Sequence, residues 1–262
     1  MPHIDLDTSS DLNKKTKILC TFGWRMALAG AETRLIMRCC HDMAKAMHVI
    51  NPEFTLTRSF FLVRCCDANS HYAERIAKIK SLGINMNSVT RLNFIANDVI
   101  SGEITDLDLI YHKIRAVRPA HYNKNMLIPI EAFAAAAFAY CNGGSATVCL
   151  AALIGGFMLM FFKFWLLKKG FFETFVFMAC AFLGCATTYI MCTYVLNASA
   201  EETRLAIMAT TLLLVPGFPY MNGFLDIFKG YLEIGVMRLV YSIILTACAA
   251  SGLLGALYLM WI

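Results

Sequence analysis

Apolar residues follow two regimes along this chain. Up to Asn125 they recur at helical or alternating spacing among many charges, and beyond it they run in long blocks with few interruptions. A spanning helix needs about 20 apolar residues at 1.5 Å rise to cross a hydrocarbon core about 30 Å thick. Met126 to Leu167 is too long for one crossing and is interrupted by the turn-favouring Asn142-Gly143-Gly144-Ser145, so it predicts a hairpin of two spans. The third run, Phe171 to Leu196, follows Lys168-Lys169-Gly170 and carries Glu173 near one end with Thr187 and Thr188 inside. The fourth, Leu205 to Met221, contains Pro216-Gly217-Phe218-Pro219, where proline removes a donor and glycine frees the backbone, so a broken or shortened span is expected. The fifth, Tyr231 to Ile262, has Arg238 near its start and Trp261 at its far end, an aromatic suited to the headgroup level.

Five crossings are the simplest count. Lys168 and Lys169 lie between spans two and three, whereas Glu201 and Glu202 lie between spans three and four. Basic loops stay in the cytoplasm, so the amino-terminal region is expected inside and the carboxyl terminus outside. Met1 to Asn13 is polar and acidic rather than a secretory leader, which agrees with a cytoplasmic head.

In the head, Lys14 to His48 predicts two helices, or one kinked helix, interrupted at Gly30. Phe54 to Cys66 is β-rich and reads as one strand between Pro52 and Asp67-Ala68-Asn69-Ser70; Glu74 to Leu82 fits a strand or a helix equally. Asn87 to Ile100 and Asp106 to Val117 have amphipathic helical spacing, with Thr105 placed to cap the second and Asp108 as the acid of a capping box. The expected fold is an α-helical polytopic membrane protein of about five transmembrane helices, one broken at Pro-Gly-x-Pro, with an N-terminal cytoplasmic α+β domain: residues 1–125 as head and 126–262 as membrane domain.

Composition supports this division. Of 262 residues, 58% are hydrophobic and 16% charged, too apolar for a soluble chain, whose charged share is about a quarter. The net charge of +5 comes without a basic stripe, so no nucleic-acid partner is expected and the positive balance suits the cytoplasmic face of a bilayer. Eleven cysteines include adjacent pairs (Cys39-Cys40, Cys65-Cys66) and single residues in apolar runs (Cys149, Cys180, Cys185, Cys248). They read as reduced small hydrophobes, and with His41 and His71 they lack the register of a metal site. No phosphate-binding loop or nucleophile elbow is present, so neither an enzyme nor a cofactor is expected.

The candidate chemistry sits around the Pro-Gly-x-Pro break. Half-helix N-termini in broken spans hold anionic groups through free N–H donors and the positive dipole end, which points to a small carboxylate substrate or ion held near Pro216, Gly217, Pro219, Asn222, Asp226, Gly230 and Arg238. Asp226 and Arg238, twelve positions apart, lie roughly 18 Å apart on a straight helix and pair only if the chain bends. Arg238 suits bidentate carboxylate recognition and Asp226 a coupling proton; the competing reading places both, like Glu131 and Glu173, at the membrane interface as solvated charges. An interfacial Asp226 would accept asparagine for under about half a kcal/mol.

Pro216-Gly217-Phe218-Pro219-Tyr220-Met221-Asn222-Gly223-Phe224-Leu225-Asp226, followed by Gly230, Gly235 and Arg238, resembles the signature of the bacterial threonine/serine exporter family. Gly30-Ala31-Glu32-Thr33-Arg34 resembles its head motif, and Gly143-Gly144 and Gly83-Ile84-Asn85 stand in the family's order. The resemblance implies the amino-terminal component of the split two-chain form, with a second, smaller membrane chain carrying the other half. It further implies a secondary exporter of small carboxylates, succinate for the split form or threonine and serine for the fused one, with room for a higher oligomer. The alternatives are a membrane-anchored hydrolase acting through the head and a regulatory membrane subunit.

Overall fold

The computed structural model describes residues 6–66, 71–79, 83–120 and 122–261. The expected Asp67–Ser70 turn, the end of the Glu74–Leu82 segment, the Trp261 side chain and Ile262 lie outside the described residues. The chain forms two compact units, Met1–His121 with Met221–Arg238, and Tyr122–Tyr220 with Leu239–Ile262. Met221–Arg238 thus groups with the amino-terminal unit, although it follows most of the apolar runs in sequence.

The first unit opens with α1 (Leu6–Leu28) and α2 (Thr33–Ala46), followed by β1 (Ile50–Leu56), β2 (Phe60–Cys66) and β3 (Tyr72–Lys78), then α3 (Met86–Ile100) and α4 (Leu107–Ala116). The three strands form an antiparallel meander in the order β1-β2-β3. The single strand expected over Phe54–Cys66 is instead a hairpin. Thr57 makes the turn, its hydroxyl accepting from the amides of Ser59 and Phe60 and its own amide bonding the Phe60 carbonyl. Phe61, Val63 and Cys65 alternate inward on β2 and are fully buried, which fixes the register. Ile18, Leu19, Phe22 and Met26 of α1 cover that face, and Gly23 meets the Phe61 ring so closely that a Cβ has no room. The ambiguous segment becomes β3 because it pairs along β2 from Cys66↔Tyr72 to Phe60↔Lys78. The cap of α4 is Asp106, whose carboxylate accepts from the Asp108 amide, rather than Thr105.

The second unit holds α5 (Lys124–Cys141), α6 (Ala146–Lys168), α7 (Glu173–Ile190) continued by a π turn (Met191–Val195), and α8 (Ala200–Thr211) with a 3₁₀ turn (Leu212–Leu214). Two further helices, α9 (Gly217–Phe228) and α10 (Leu232–Trp261), are divided between the units. Small residues bring the helices together: Ala132, Ala135 and Ala139 of α5 are buried, as are Ala151, Ala152, Gly155 and Gly156 of α6. Thr188 and Thr210 hydroxyls bond each other at 3.0 Å where Gly155 leaves space. Ser199 caps α8 in a reciprocal box with Glu202, and Glu202 also accepts from the Ser145 hydroxyl at 2.7 Å, tying the α5–α6 turn to the start of α8.

Among the described residues, three helices are long and apolar enough to cross a membrane: α6, α7 with its π turn, and α10. The pair α8 and α9, bent by 61° at the break, adds a fourth if taken as one span. Val215 is extended there because the following Pro216 disfavours α geometry in the residue before it. The helix expected as the first crossing, α5, is not among them, since Lys124, Asn125, Pro129 and Glu131 occupy its first half.

Candidate functional site

Chain geometry after the break brings the two sequence motifs together. Helix α9 ends at Phe228, Gly230 takes a left-handed φ of +88°, and the Tyr231 amide reaches back to the Asp226 carbonyl at 2.8 Å. The start of α10 then runs back beside the end of α9. Gly235 makes this approach feasible, because a Cβ there would stand 2.9 Å from both the Gly223 carbonyl oxygen and the Ile227 amide nitrogen. Asp226 and Arg238 therefore face each other at 2.8 Å, with side chains 0% and 4% exposed. Both charges are buried, unlike the solvated charges of the competing interfacial reading. With the counter-ion lost, the cost rises from under half a kcal/mol to about 3–5 kcal/mol.

The head motif closes around this pair. Gly30, with φ +81°, turns the chain from α1 into α2, and its carbonyl accepts from Asn222 Nδ2 at 3.1 Å. The Ala31 carbonyl accepts from Arg238 Nη2 at 3.4 Å. Glu32 pairs with Lys229 at 2.6 Å, a partly exposed contact. The Thr33 amide donates to Asp226 Oδ1 at 3.2 Å. Glu32 stands at the N-cap of α2 but makes no side-chain cap bond. Asp226, 193 positions away, supplies the missing acceptor and places its negative charge at the positive end of the helix. One carboxylate thus serves as counter-ion and as helix cap.

Of the expected site residues, Asn222, Asp226, Gly230, Arg238, Gly30, Glu32 and Thr33 are brought into this cluster or its turns. Pro216, Gly217 and Pro219 instead shape the backbone at the break and the first turn of α9. Arg34 is exposed on α2 and outside the cluster. Four head cysteines are buried thiols: burial pushes Cys20 up to about 11 and raises Cys39, Cys40 and Cys65 as well. Cys39 donates to Asn93 Oδ1 at 3.4 Å, and the His41 ring packs edge-on against Phe54 at 4.8 Å. No group of three or more His, Cys, Asp and Glu among the described residues is placed to hold a metal.

A second polar cluster lies within the membrane unit and escaped the sequence reading. Lys163 of α6 stands 5.1 Å from the Phe177 ring centroid, with Glu131 of α5 and Glu173 of α7 as its acidic neighbours. Tyr241 of α10 donates its hydroxyl to Glu173. The available signal was the lone lysine in Phe161-Phe162-Lys163-Phe164-Trp165, a charge inside an otherwise unbroken apolar run.

Apolar helices long enough to span, a broken helix pair and two internal clusters of charge define a polytopic helical membrane protein. The profile of the ThrE family, described as "Putative threonine/serine exporter", matches residues 17–260. The chain belongs to this threonine/serine exporter family. A Klebsiella aerogenes protein named "Probable succinate transporter subunit YjjP" is 27% identical over 235 residues, covering 88% of each chain. An Escherichia coli K12 protein of the same name is 24% identical over 245 residues, covering 92% of this chain and 93% of its own. No solved structure matches the chain.

Proposed function

We propose that this chain is one subunit of a secondary active exporter of small carboxylates, a dicarboxylate such as succinate or the amino acids threonine and serine. It works with a second, smaller membrane chain of the same family. The reading places it in the bacterial inner membrane with five crossings, α5 being the first, the head in the cytoplasm and the carboxyl terminus outside.

The observation that carries the reading is the buried Asp226–Arg238 pair at 2.8 Å. A substrate carboxylate and Asp226 are chemically equivalent partners for one guanidinium, so they compete for it. When Asp226 takes up a proton its hold on Arg238 and on the Thr33 amide weakens, and the guanidinium becomes available to an incoming carboxylate. Proton uptake and substrate binding are coupled in this way by exchange of one counter-ion for another. The family assignment and the relatives named as succinate transporter subunits support the substrate class.

The test is flux of labelled succinate, threonine and serine in proteoliposomes holding both chains under an imposed pH gradient. The charge-swapped double variant Asp226→Arg with Arg238→Asp separates function from scaffolding. It is expected to assemble better than either single variant yet to carry no gradient-driven flux, since the guanidinium now stands where the carboxylate stood. Wild-type flux in the swapped protein means that the pair is a structural tie, and coupling then belongs to Glu131, Glu173 or the partner.

A further inference from the structure

The head contains a second candidate site, unrelated to the ion pair. A groove of about 870 Å³ opens between α1, the free edge of β3 and α4. Among the described residues five cations line it, Lys17, Arg25, Arg75, Lys78 and Arg115, against one acid, Glu74. Four other cations of the head stand beside acids: Lys14 with Asp108, Lys15 with Asp11, Arg64 with Glu53 and Lys113 with Asp98. Among the described residues none of the five groove cations pairs with a carboxylate within 4.0 Å. Lys17 and Arg115 lie over the Tyr111 ring, at 4.4 and 5.6 Å from its centroid, and Arg25 is tied to the Ile114 carbonyl. Trp24 forms a wall, its indole N–H fixed to the Lys78 carbonyl at 2.9 Å. The one thiol present, Cys20, is buried and held protonated, so the groove has no nucleophile there.

An excess of four positive charges over one carboxylate is more than a dicarboxylate neutralises. A nucleoside triphosphate brings roughly four negative charges on its phosphates and a planar base that can lie against an indole. The volume falls within the range of about 300–1,000 Å³ typical of small-molecule sites. We infer that this groove binds a nucleoside phosphate in the cytoplasmic head, with Arg75, Arg115 and Lys17 holding the phosphates and Trp24 the base. No Walker loop accompanies it, and binding alone suits a regulatory input to the membrane unit.

The experiment is equilibrium dialysis of labelled ATP, without magnesium, against the purified full chain in detergent, with tripolyphosphate and succinate as competitors. Saturable ATP binding is expected, with tripolyphosphate about tenfold weaker for lack of a base to stack and succinate weaker still. Arg75→Ala with Arg115→Ala should weaken ATP at least about tenfold, and Trp24→Leu should bring ATP down to the level of tripolyphosphate. Glu74→Gln removes the one opposing charge and should tighten binding a few-fold, a gain that misfolding does not imitate. The inference is overturned by an absence of saturable ATP binding at millimolar concentration. It is equally overturned if ATP and tripolyphosphate bind alike in both wild type and Trp24→Leu, or if Glu74→Gln and the double arginine variant both keep wild-type affinity.

Discussion

Asp226 and Arg238 touch at 2.8 Å although a straight helix would hold them roughly 18 Å apart, because the chain reverses at Gly230 between them. The same carboxylate caps α2 through the Thr33 amide. The acid that follows the Pro-Gly-x-Pro break is therefore bound simultaneously to the start of α10 and to the head motif, and its loss is felt in both.

Asp226→Asn should cost stability as well as transport. An amide can still accept from the Thr33 amide, but it leaves the buried guanidinium without a counter-ion, a loss of about 3–5 kcal/mol for a pair of this burial. Thermal unfolding of the detergent-solubilised protein is expected to shift markedly downward. Arg238→Lys should be milder, at about 1.5–3 kcal/mol, because a point charge keeps the Asp226 contact but gives up the second bond to the Ala31 carbonyl. Equal stability of wild type and Asp226→Asn would show that the pair is open in solution.

Much of this architecture was legible in the sequence, and the part that was not is long-range. Pro216 announced the break and the spacing of Asp226 and Arg238 stated the condition for their pairing, because turn chemistry and helical rise are local. That Thr33 and Asp226 meet across 193 positions has no local signature, since an uncapped α2 becomes apparent only when Glu32 is seen to make no cap bond. The hairpin at Thr57 was hidden because Phe54 to Cys66 is β-forming on both sides of a turn lacking glycine or proline. Lys163 was overlooked because its neighbours Glu131 and Glu173 come from other helices.

Gly235→Val tests the helix contact without touching a charge. Its branched side chain would enter space held by the Gly223 carbonyl and the Ile227 backbone, atoms that cannot swing aside as a side-chain tip does. The helices must separate, stretching the Asp226–Arg238 bond, at about 1–3 kcal/mol. A lowered unfolding temperature and lost transport are expected, while Gly217→Ala, which meets nothing within 4 Å, should stay near wild type.

The head thiols give a pH dependence with a definite sign. Cys20 holds its proton up to about 11 in the fold against 9.0 as the ordinary value, because burial disfavours the thiolate. The folded state thus binds more protons in that window, so this contribution to stability is full below pH 9 and declines as pH rises toward 11. At neutral pH, maleimide should leave Cys20, Cys40 and Cys65 unmodified and label exposed Cys141, as read by mass spectrometry. Rapid labelling of Cys40 in the folded protein would mean that the α1–sheet core opens.

Orientation is testable with introduced cysteines. Lys168-Lys169 and Glu201-Glu202 mark opposite faces by the distribution of basic loops. An impermeant thiol reagent on intact cells should label Ser199→Cys and spare Gly170→Cys, in a background lacking reactive native cysteines. The reverse pattern inverts the orientation and puts the nucleotide groove outside the cytoplasm.

The last prediction is dependence on a second chain. Both curated relatives carry the word subunit in their names, and this chain aligns with 88% and 93% of their lengths, so the likeness extends over nearly the whole of each. In the described residues, three spans and one bent pair satisfy the length and hydropathy of a crossing, and large apolar side chains such as Phe157, Tyr258 and Leu259 remain exposed on them. Lipid covers such surfaces adequately, so exposure alone does not demand a partner. The two-chain exporter proposed above does, because where one repeat rocks against another a single half has no second bundle to move against. Expressed singly in cells lacking both components, this chain should insert but give no efflux of succinate, threonine or serine, and co-expression with the smaller family chain should restore it. Gradient-driven flux from proteoliposomes containing this chain alone would refute the two-chain reading, and cross-linking of the active species would then show whether it is a homo-oligomer.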